Sequence, residues 1–146
     1  MAKVEKALTK KKEKASAPKP KKKIVASQQK ILILDDEIRI YAGLERALKN
    51  QGYEVKAVHS VAEGLEEAVV FRPTVIVTRF LLEGMNSDRL VSLLRGMPSV
   101  KKIPVIVYAD KVLGWEEESL KKVGVKFIGE MNEDKLLDEI EKVLSD

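Results

Sequence analysis

Residues 30–146 are predicted to form an α/β domain of three layers, in which helices cover both faces of a doubly wound, five-stranded parallel sheet. Short apolar segments alternate five times with segments of helical periodicity. The apolar segments carry hydrophobic residues at consecutive positions, as parallel strands that are covered on both faces require. Because crossovers between parallel strands are right-handed, this alternation leaves few possible architectures.

The elements follow one another in a regular order. The predicted strands are KILILD at 30–35, YEVKAV at 53–58, Thr74–Thr78, IPVIVY at 103–108 and VKFI at 125–128. The predicted helices run from about Glu37 to Gln51, from Val61 to the residues before Pro73, from Asn86 or Ser87 to Met97, from about Val112 to Val123, and from Asn132 towards Leu144.

The predicted helices have recognisable starts and apolar stripes. Ser60 and Glu63 have the spacing of a capping box, and Asn132 is a suitable N-cap for the last helix. Residues at helical spacing are expected to face the core. In the second helix they are Val61, Leu65, Ala68 and Val69, and in the third they are Leu90, Leu93, Leu94 and Met97.

Charge divides the chain into two parts. Residues 1–30 carry 11 Lys and 2 Glu, a net charge of +9, whereas the other 116 residues carry 16 basic and 21 acidic side chains, a net charge of −5. Residues 1–29 have almost nothing to bury and are predicted to be a disordered, Lys-rich tail. The tail can serve as a solvated linker, or it can contact nucleic acid, an anionic membrane or an acidic protein.

Composition excludes several classes of protein. Without cysteine there is no disulfide and no thiolate metal site, and a single histidine, His59, cannot form a histidine cluster. No glycine-rich phosphate loop follows the first strand, and no G-x-S-x-G nucleophile motif occurs. No apolar run approaches the ~18 residues that span a bilayer, and the N-terminus lacks the apolar core of a signal peptide. We expect a cytoplasmic protein that is not an enzyme.

Charged residues mark the edge at which the strands end, where ligands bind in open α/β sheets. Asp35 and Asp36 end the first strand. Adjacent carboxylates repel each other unless a cation lies nearby, so the pair predicts either a Mg²⁺ site or a cap for the following helix. Arg79 ends the third strand, which is an unusual place for an arginine.

Three stretches, ILILDDE, FRPTVIVTRFLLEGMNSDRLVSLLR and KKIPVIVYAD, resemble the receiver domain of bacterial response regulators. The resemblance covers about Lys30 to Leu144. It implies a CheY-like, flavodoxin-like fold with strand order 2-1-3-4-5, and a role in two-component, phosphorelay signal transduction. The functional site would lie between the ends of the first and third strands.

The resemblance also implies which positions carry the chemistry. Receivers have an acid pair that holds Mg²⁺, a phosphoacceptor aspartate, a hydroxyl residue, a lysine and an aromatic residue in the fifth strand. Carried over in that order, these fall on Asp35 and Asp36, Arg79, Ala109, Glu130 and Phe127. Only the acid pair and the aromatic ring are retained.

Phosphotransfer is therefore predicted to be lost. Arginine has no carboxylate and cannot form an acyl phosphate. Ala109 has no hydroxyl, and Glu130 would repel a phosphoryl group. We expect Asp35, Asp36 and Glu130 to surround Arg79 in an ion-pair cluster that replaces both the acceptor and the metal, so that Mg²⁺ binding is lost or weak. Alternatively, Arg79 points into solvent from a vestigial site.

These expectations indicate a pseudo-receiver, a phosphorylation-independent module that binds a signalling or regulatory protein. Trp115, the single tryptophan, is either a partner contact or a cap on the edge of the core. Phe127 is expected to be fixed. Two alternatives stay open: a residual phosphorelay receiver that uses Asp88 or Asp110, and a nucleic-acid- or acidic-partner-associated protein that acts through the tail.

Overall fold

The computed structural model describes residues 29–82, 84–109, 115–122, 125–128 and 132–145. The elements are β1 (Lys30–Leu34), α1 (Ile38–Asn50), β2 (Glu54–Val58), α2 (Val61–Val70), β3 (Val75–Arg79), β4 (Leu81–Leu82), β5 (Met85–Asn86), α3 (Ser87–Arg95), β6 (Val105–Tyr108), α4 (Trp115–Lys122), β7 (Lys126–Ile128) and α5 (Glu133–Ser145). The predicted tail lies outside the described residues, except for Gln29. The carbonyl of Gln29 accepts a hydrogen bond from the Glu54 amide at 3.1 Å, so sheet pairing begins at this residue.

Five parallel strands form the main sheet in the order β2-β1-β3-β6-β7. Counted along the chain without the short antiparallel pair β4–β5, this order is 2-1-3-4-5, and the predicted fold class and strand order are confirmed. β1 pairs with both β2 and β3, so the direction of winding changes between β1 and β3. Their carboxyl ends meet at the switch point, which is where such folds place their ligand sites.

Two apolar layers enclose the sheet. Alternate residues of β1 point to opposite faces. Ile31 and Ile33 pack with residues of α1 and α5, whereas Leu32 and Leu34 pack with residues of α2 and α3. All four side chains are buried. The run of consecutive apolar residues in this strand therefore reflects burial on both faces.

The predicted helix starts are confirmed by their hydrogen bonds. Ser60 Oγ accepts from the Glu63 amide at 3.1 Å, which is the first bond of a capping box, and Glu63 Oε1 accepts from the amide of His59, the residue before the cap, at 3.2 Å. Asn132 Oδ1 accepts from the Lys135 amide at 3.0 Å at the start of α5. These bonds satisfy amides that have no partner within the helix.

Two residues that the periodicity places in the core are exposed. Val69 in α2 is 41% exposed and Leu93 in α3 is 44% exposed, and Val70 beside the first is 68% exposed. Val69 lies about 100° around its helix from the buried Ala68, and Leu93 lies about 100° from the buried Leu94. The buried stripes of both helices are narrower than the sequence predicts.

None of the helices in the described ranges is long and apolar enough to cross a membrane.

The capping box gives a test of the fold. We expect Ser60→Ala to lower the free energy of unfolding by about 1 kcal/mol, because the Glu63 amide at the start of α2 loses its acceptor. Ser92→Ala is the matched control, since Ser92 is exposed within α3, where alanine favours the helix. Urea denaturation of both variants measures the difference. Equal stability of the two variants would contradict the capping role.

Candidate functional site at the ends of the strands

Asp35 directly follows β1 and is fully buried. Its amide donates to the Val58 carbonyl at 3.1 Å, which extends the β1–β2 pairing by one residue. Its Oδ1 accepts from the Glu37 amide at 2.7 Å, and its Oδ2 accepts a hydrogen bond from the Tyr108 hydroxyl. Both carboxylate oxygens therefore hold protein donors, and the side chain is fixed at the edge of the sheet.

Arg79 is the last residue of β3, and its side chain is only 13% exposed. Its Nη1 lies 3.7 Å from Asp35 Oδ1, 3.7 Å from Asp36 Oδ1 and 3.4 Å from Glu37 Oε1. One nitrogen thus faces carboxylates from three consecutive residues. The guanidinium points into the site and not into solvent.

The structure brings together three of the four residues predicted for the ion-pair cluster: Asp35, Asp36 and Arg79. Glu130, the fourth, lies outside the described residues. Glu37 supplies the third carboxylate beside the arginine, and sequence reasoning missed it. Glu37 could have been identified from its place in the turn directly after the acid pair. The backbone amide of Glu37 also holds the Asp35 side chain.

Tyr108 is a second residue that sequence reasoning missed. It ends β6, pairs in register with Arg79 and is fully buried. Its hydroxyl reaches past the end of β3 to Asp35, the residue after β1. Because a buried tyrosine normally needs a partner for its hydroxyl, a tyrosine at the end of an apolar strand predicts a polar group nearby.

Burial and hydrogen bonding shift the pKa of Asp35 in opposite directions. Burial raises the pKa of Asp35 above its ordinary value of 3.8. The hydrogen bonds from Tyr108 and from the Glu37 amide, together with the charge of Arg79, lower it, and the neighbouring Asp36 raises it. The pKa is raised overall, because the effect of burial is larger than that of the two hydrogen bonds and the charge of Arg79.

The remaining predicted positions are placed as follows. Ala109 is buried after β6, and its amide donates to the Ile128 carbonyl at 3.3 Å. Phe127 in β7 is partly buried and packs against the apolar layer of α2 and α3. Trp115 begins α4, but its side chain lies outside the described part of the chain, as does Asp110.

The carboxylates at this edge do not fit a divalent cation. Mg²⁺ binds carboxylate oxygens directly, whereas here Asp35, Asp36 and Glu37 lie 3.4–3.7 Å from a guanidinium nitrogen of Arg79. The guanidinium is a permanent cation and would repel a metal ion. Within the described ranges, no group of three His, Cys, Asp or Glu residues could hold a metal.

Curated proteins similar to this chain are regulatory proteins. The transcriptional regulatory protein PrrA of Mycobacterium leprae is 32% identical over 96 residues, which are 62% of this chain and 40% of that protein. PrrA of Mycobacterium tuberculosis is 32% identical over 93 residues, 60% of this chain and 39% of that protein. The match thus spans well under half of the length of these relatives. No protein-family model matches the chain.

Two solved structures with this fold are response regulators. The chemotaxis response regulator CheY4 of Vibrio cholerae has a TM-score of 0.72 at 25% identity, over 79% of this chain and 98% of CheY4. A putative response regulator from Chloroflexus aurantiacus has a TM-score of 0.73 at 22% identity, over 81% and 98%. The described domain therefore has the CheY-like fold of response-regulator receiver domains.

One structural neighbour has a metal ion in its active site. The receiver domain of the sensor histidine kinase PA1611 from Pseudomonas aeruginosa has a TM-score of 0.73 at 18% identity, over 81% of this chain and 98% of that one. Its structure contains a magnesium ion coordinated in the active site cleft. In the present chain the guanidinium of Arg79 lies among the carboxylates that follow β1.

Removing the positive charge of Arg79 tests whether this residue stabilises the domain. We expect Arg79→Met to lower the free energy of unfolding by about 1–3 kcal/mol, because a buried carboxylate loses its cationic partner. Arg46→Met is the matched control, since Arg46 is exposed on α1. Urea denaturation at neutral pH gives both values. A loss in Arg79→Met no larger than that in the control would contradict the role.

The raised pKa of Asp35 predicts a pH dependence of stability. Between the ordinary and the raised pKa the folded domain binds more protons than the unfolded chain. The stability from Asp35 is therefore present below pH 3.8 and is lost as the pH rises through the raised pKa. Tyr108→Phe removes a hydrogen bond that stabilises the charged form, and we expect it to raise this pKa further.

Carbon NMR titration of the Asp35 carboxyl group measures the pKa directly. Tyr53→Phe is the control, since Tyr53 is a buried tyrosine that packs with α1 and α5. A wild-type midpoint at or below 3.8 would show that burial does not govern the pKa of this group. An unchanged midpoint in Tyr108→Phe would show that the Tyr108 hydrogen bond does not stabilise the charged form.

Proposed function

We propose that this receiver domain is a phosphorylation-independent protein-interaction module in two-component-type signalling. The observation that carries the proposal is the end of β3. There the side chain is a guanidinium that lies 3.4–3.7 Å from three carboxylates. A group of this kind cannot accept a phosphoryl group as an acyl phosphate, since it has no carboxylate oxygen.

The other acids at this edge do not compensate for the missing acceptor. Asp35 is buried, and both of its oxygens accept hydrogen bonds. Asp36 and Glu37 each lie within ion-pair distance of Arg79. Ala109 supplies no hydroxyl to a phosphoryl group. These contacts support a site that is closed by charge pairing and not one that is ready for transfer.

Such a module acts through its surface. Arg79 at the end of β3 joins the turn after β1 by ion pairs, so the two strand ends are held together without an added ligand. A domain held in this way would present a constant surface to a signalling or regulatory protein. The proposal includes the cytoplasmic location predicted from the sequence.

The test is incubation of the full chain with acetyl phosphate and Mg²⁺, followed by intact mass measurement. We expect no mass increase of one phosphoryl group, under conditions in which a phosphorylatable receiver domain gains one. A hydroxylamine-sensitive adduct on the wild-type chain would overturn the proposal. Asp36→Asn and Asp88→Asn would then identify the acceptor.

A second candidate function rests on the charge of the tail. Its net charge of +9 over residues 1–30 suits an acidic partner such as nucleic acid. Binding of this kind would be weak, independent of sequence and steeply dependent on salt. We expect deletion of residues 1–28 to abolish DNA binding at low salt. Unchanged affinity after the deletion would exclude this function.

A further inference from the structure

Three exposed apolar side chains lie at one end of two neighbouring helices. Val69 and Val70 are in the last turn of α2, and Leu93 is in the last turn of α3. Both helices lie in connections between parallel strands of the main sheet, run antiparallel to these strands and pack on the same face. Their last turns therefore lie at the same end of the layer. We call these three residues the α2–α3 strip.

Val69 and Leu93 of the strip flank the groove between the two helices, and Val70 beside Val69 faces outward. Glu67, on one flank of α2, pairs with Lys56 of the edge strand β2 at 3.2 Å. Val69 is on the opposite flank of α2, because two residues turn a helix by about 200°, and this flank faces α3. Leu93 precedes the packed Leu94 by one residue, which turns it about 100° in the opposite sense, back towards α2.

The described chain begins beside this strip. Lys30 Nζ donates to the Phe71 carbonyl at 3.3 Å and lies 5.4 Å from the centroid of the Phe71 ring. Phe71 directly follows Val70 at the end of α2. The Thr74 amide donates to the Lys30 carbonyl at 2.7 Å and fixes this position. The residues before Gln29 therefore leave the domain next to the end of α2.

We infer that residues 21–28, KKKIVASQ, bind over the α2–α3 strip and cover it with Ile24 and Val25. Val25 is four residues before Gln29, so an extended chain reaches up to about 14 Å from that anchor. This distance is about the length of two to three turns of an α-helix, so the segment can reach the last turns of α2 and α3. The reach of the chain and its point of exit thus favour this segment over a separate partner.

Charge supports the same occupant. Lys21, Lys22 and Lys23 directly precede Ile24, and α2 carries Glu63 and Glu66, both exposed. Opposite charges of this kind favour one orientation of a bound segment. The inference is independent of the proposed function, because neither Arg79 nor any carboxylate at the strand ends takes part in it.

Backbone amide NMR of the full chain tests the inference. The test variant is Ile24→Ser with Val25→Ser. The matched control is Val4→Ser with Leu8→Ser, which makes the same loss of two apolar side chains farther along the tail. We expect the test variant to shift the amides of Val69, Val70 and Leu93 well beyond those of the rest of the domain, and the control to leave them in place.

Three outcomes would overturn the inference. In the first, the test variant would leave the three amides unshifted. In the second, the control would shift them equally, which would show that the effect is not specific to residues 21–28. In the third, the wild-type amides shift with protein concentration, which assigns the strip to a second copy of the chain.

Discussion

The arrangement of the functional edge depends on the attraction between the Arg79 guanidinium and the carboxylates that follow β1. Asp35 is fully buried there, and a buried charge is costly unless it is paired and hydrogen-bonded. The Tyr108 hydroxyl, the Glu37 amide and Arg79 supply those partners from β6, from the local turn and from β3. One buried carboxylate thereby ties together three of the five strands of the sheet.

On the proposed function, the same interaction lets a receiver fold act without phosphate or metal. A phosphoryl group and a divalent cation would bring charge to this edge only when they are bound. The Arg79 side chain is covalently part of β3 and is charged at every physiological pH. On the proposed function, its permanent charge stabilises one arrangement of the strand ends, and the selective value of the domain lies in the surface that this arrangement presents.

The fold was largely predictable, because apolar runs, helix caps and the right-handed crossover rule all agree on it. The positions of Val69 and Leu93 were not. Gly64 brings α2 so close to the sheet that a Cβ at this position would lie 2.9 Å from Leu34 Cδ2. This close approach centres the buried stripe on Gly64 and Ala68 and leaves Val69 outside it. The Tyr108–Asp35 contact joins residues 73 apart in the chain, and no local pattern reveals such a pair.

Titration of the full chain with Mg²⁺, followed by backbone amide NMR, tests most directly whether Arg79 occupies the place of the cation. In the wild type we expect the amides of Asp35, Asp36 and Glu37 to stay unshifted at millimolar Mg²⁺. In Arg79→Asp, which exchanges the cation for a carboxylate, we expect them to shift and saturate. Saturable shifts at these amides in the wild type would contradict the account, because they would show a site that still admits the metal.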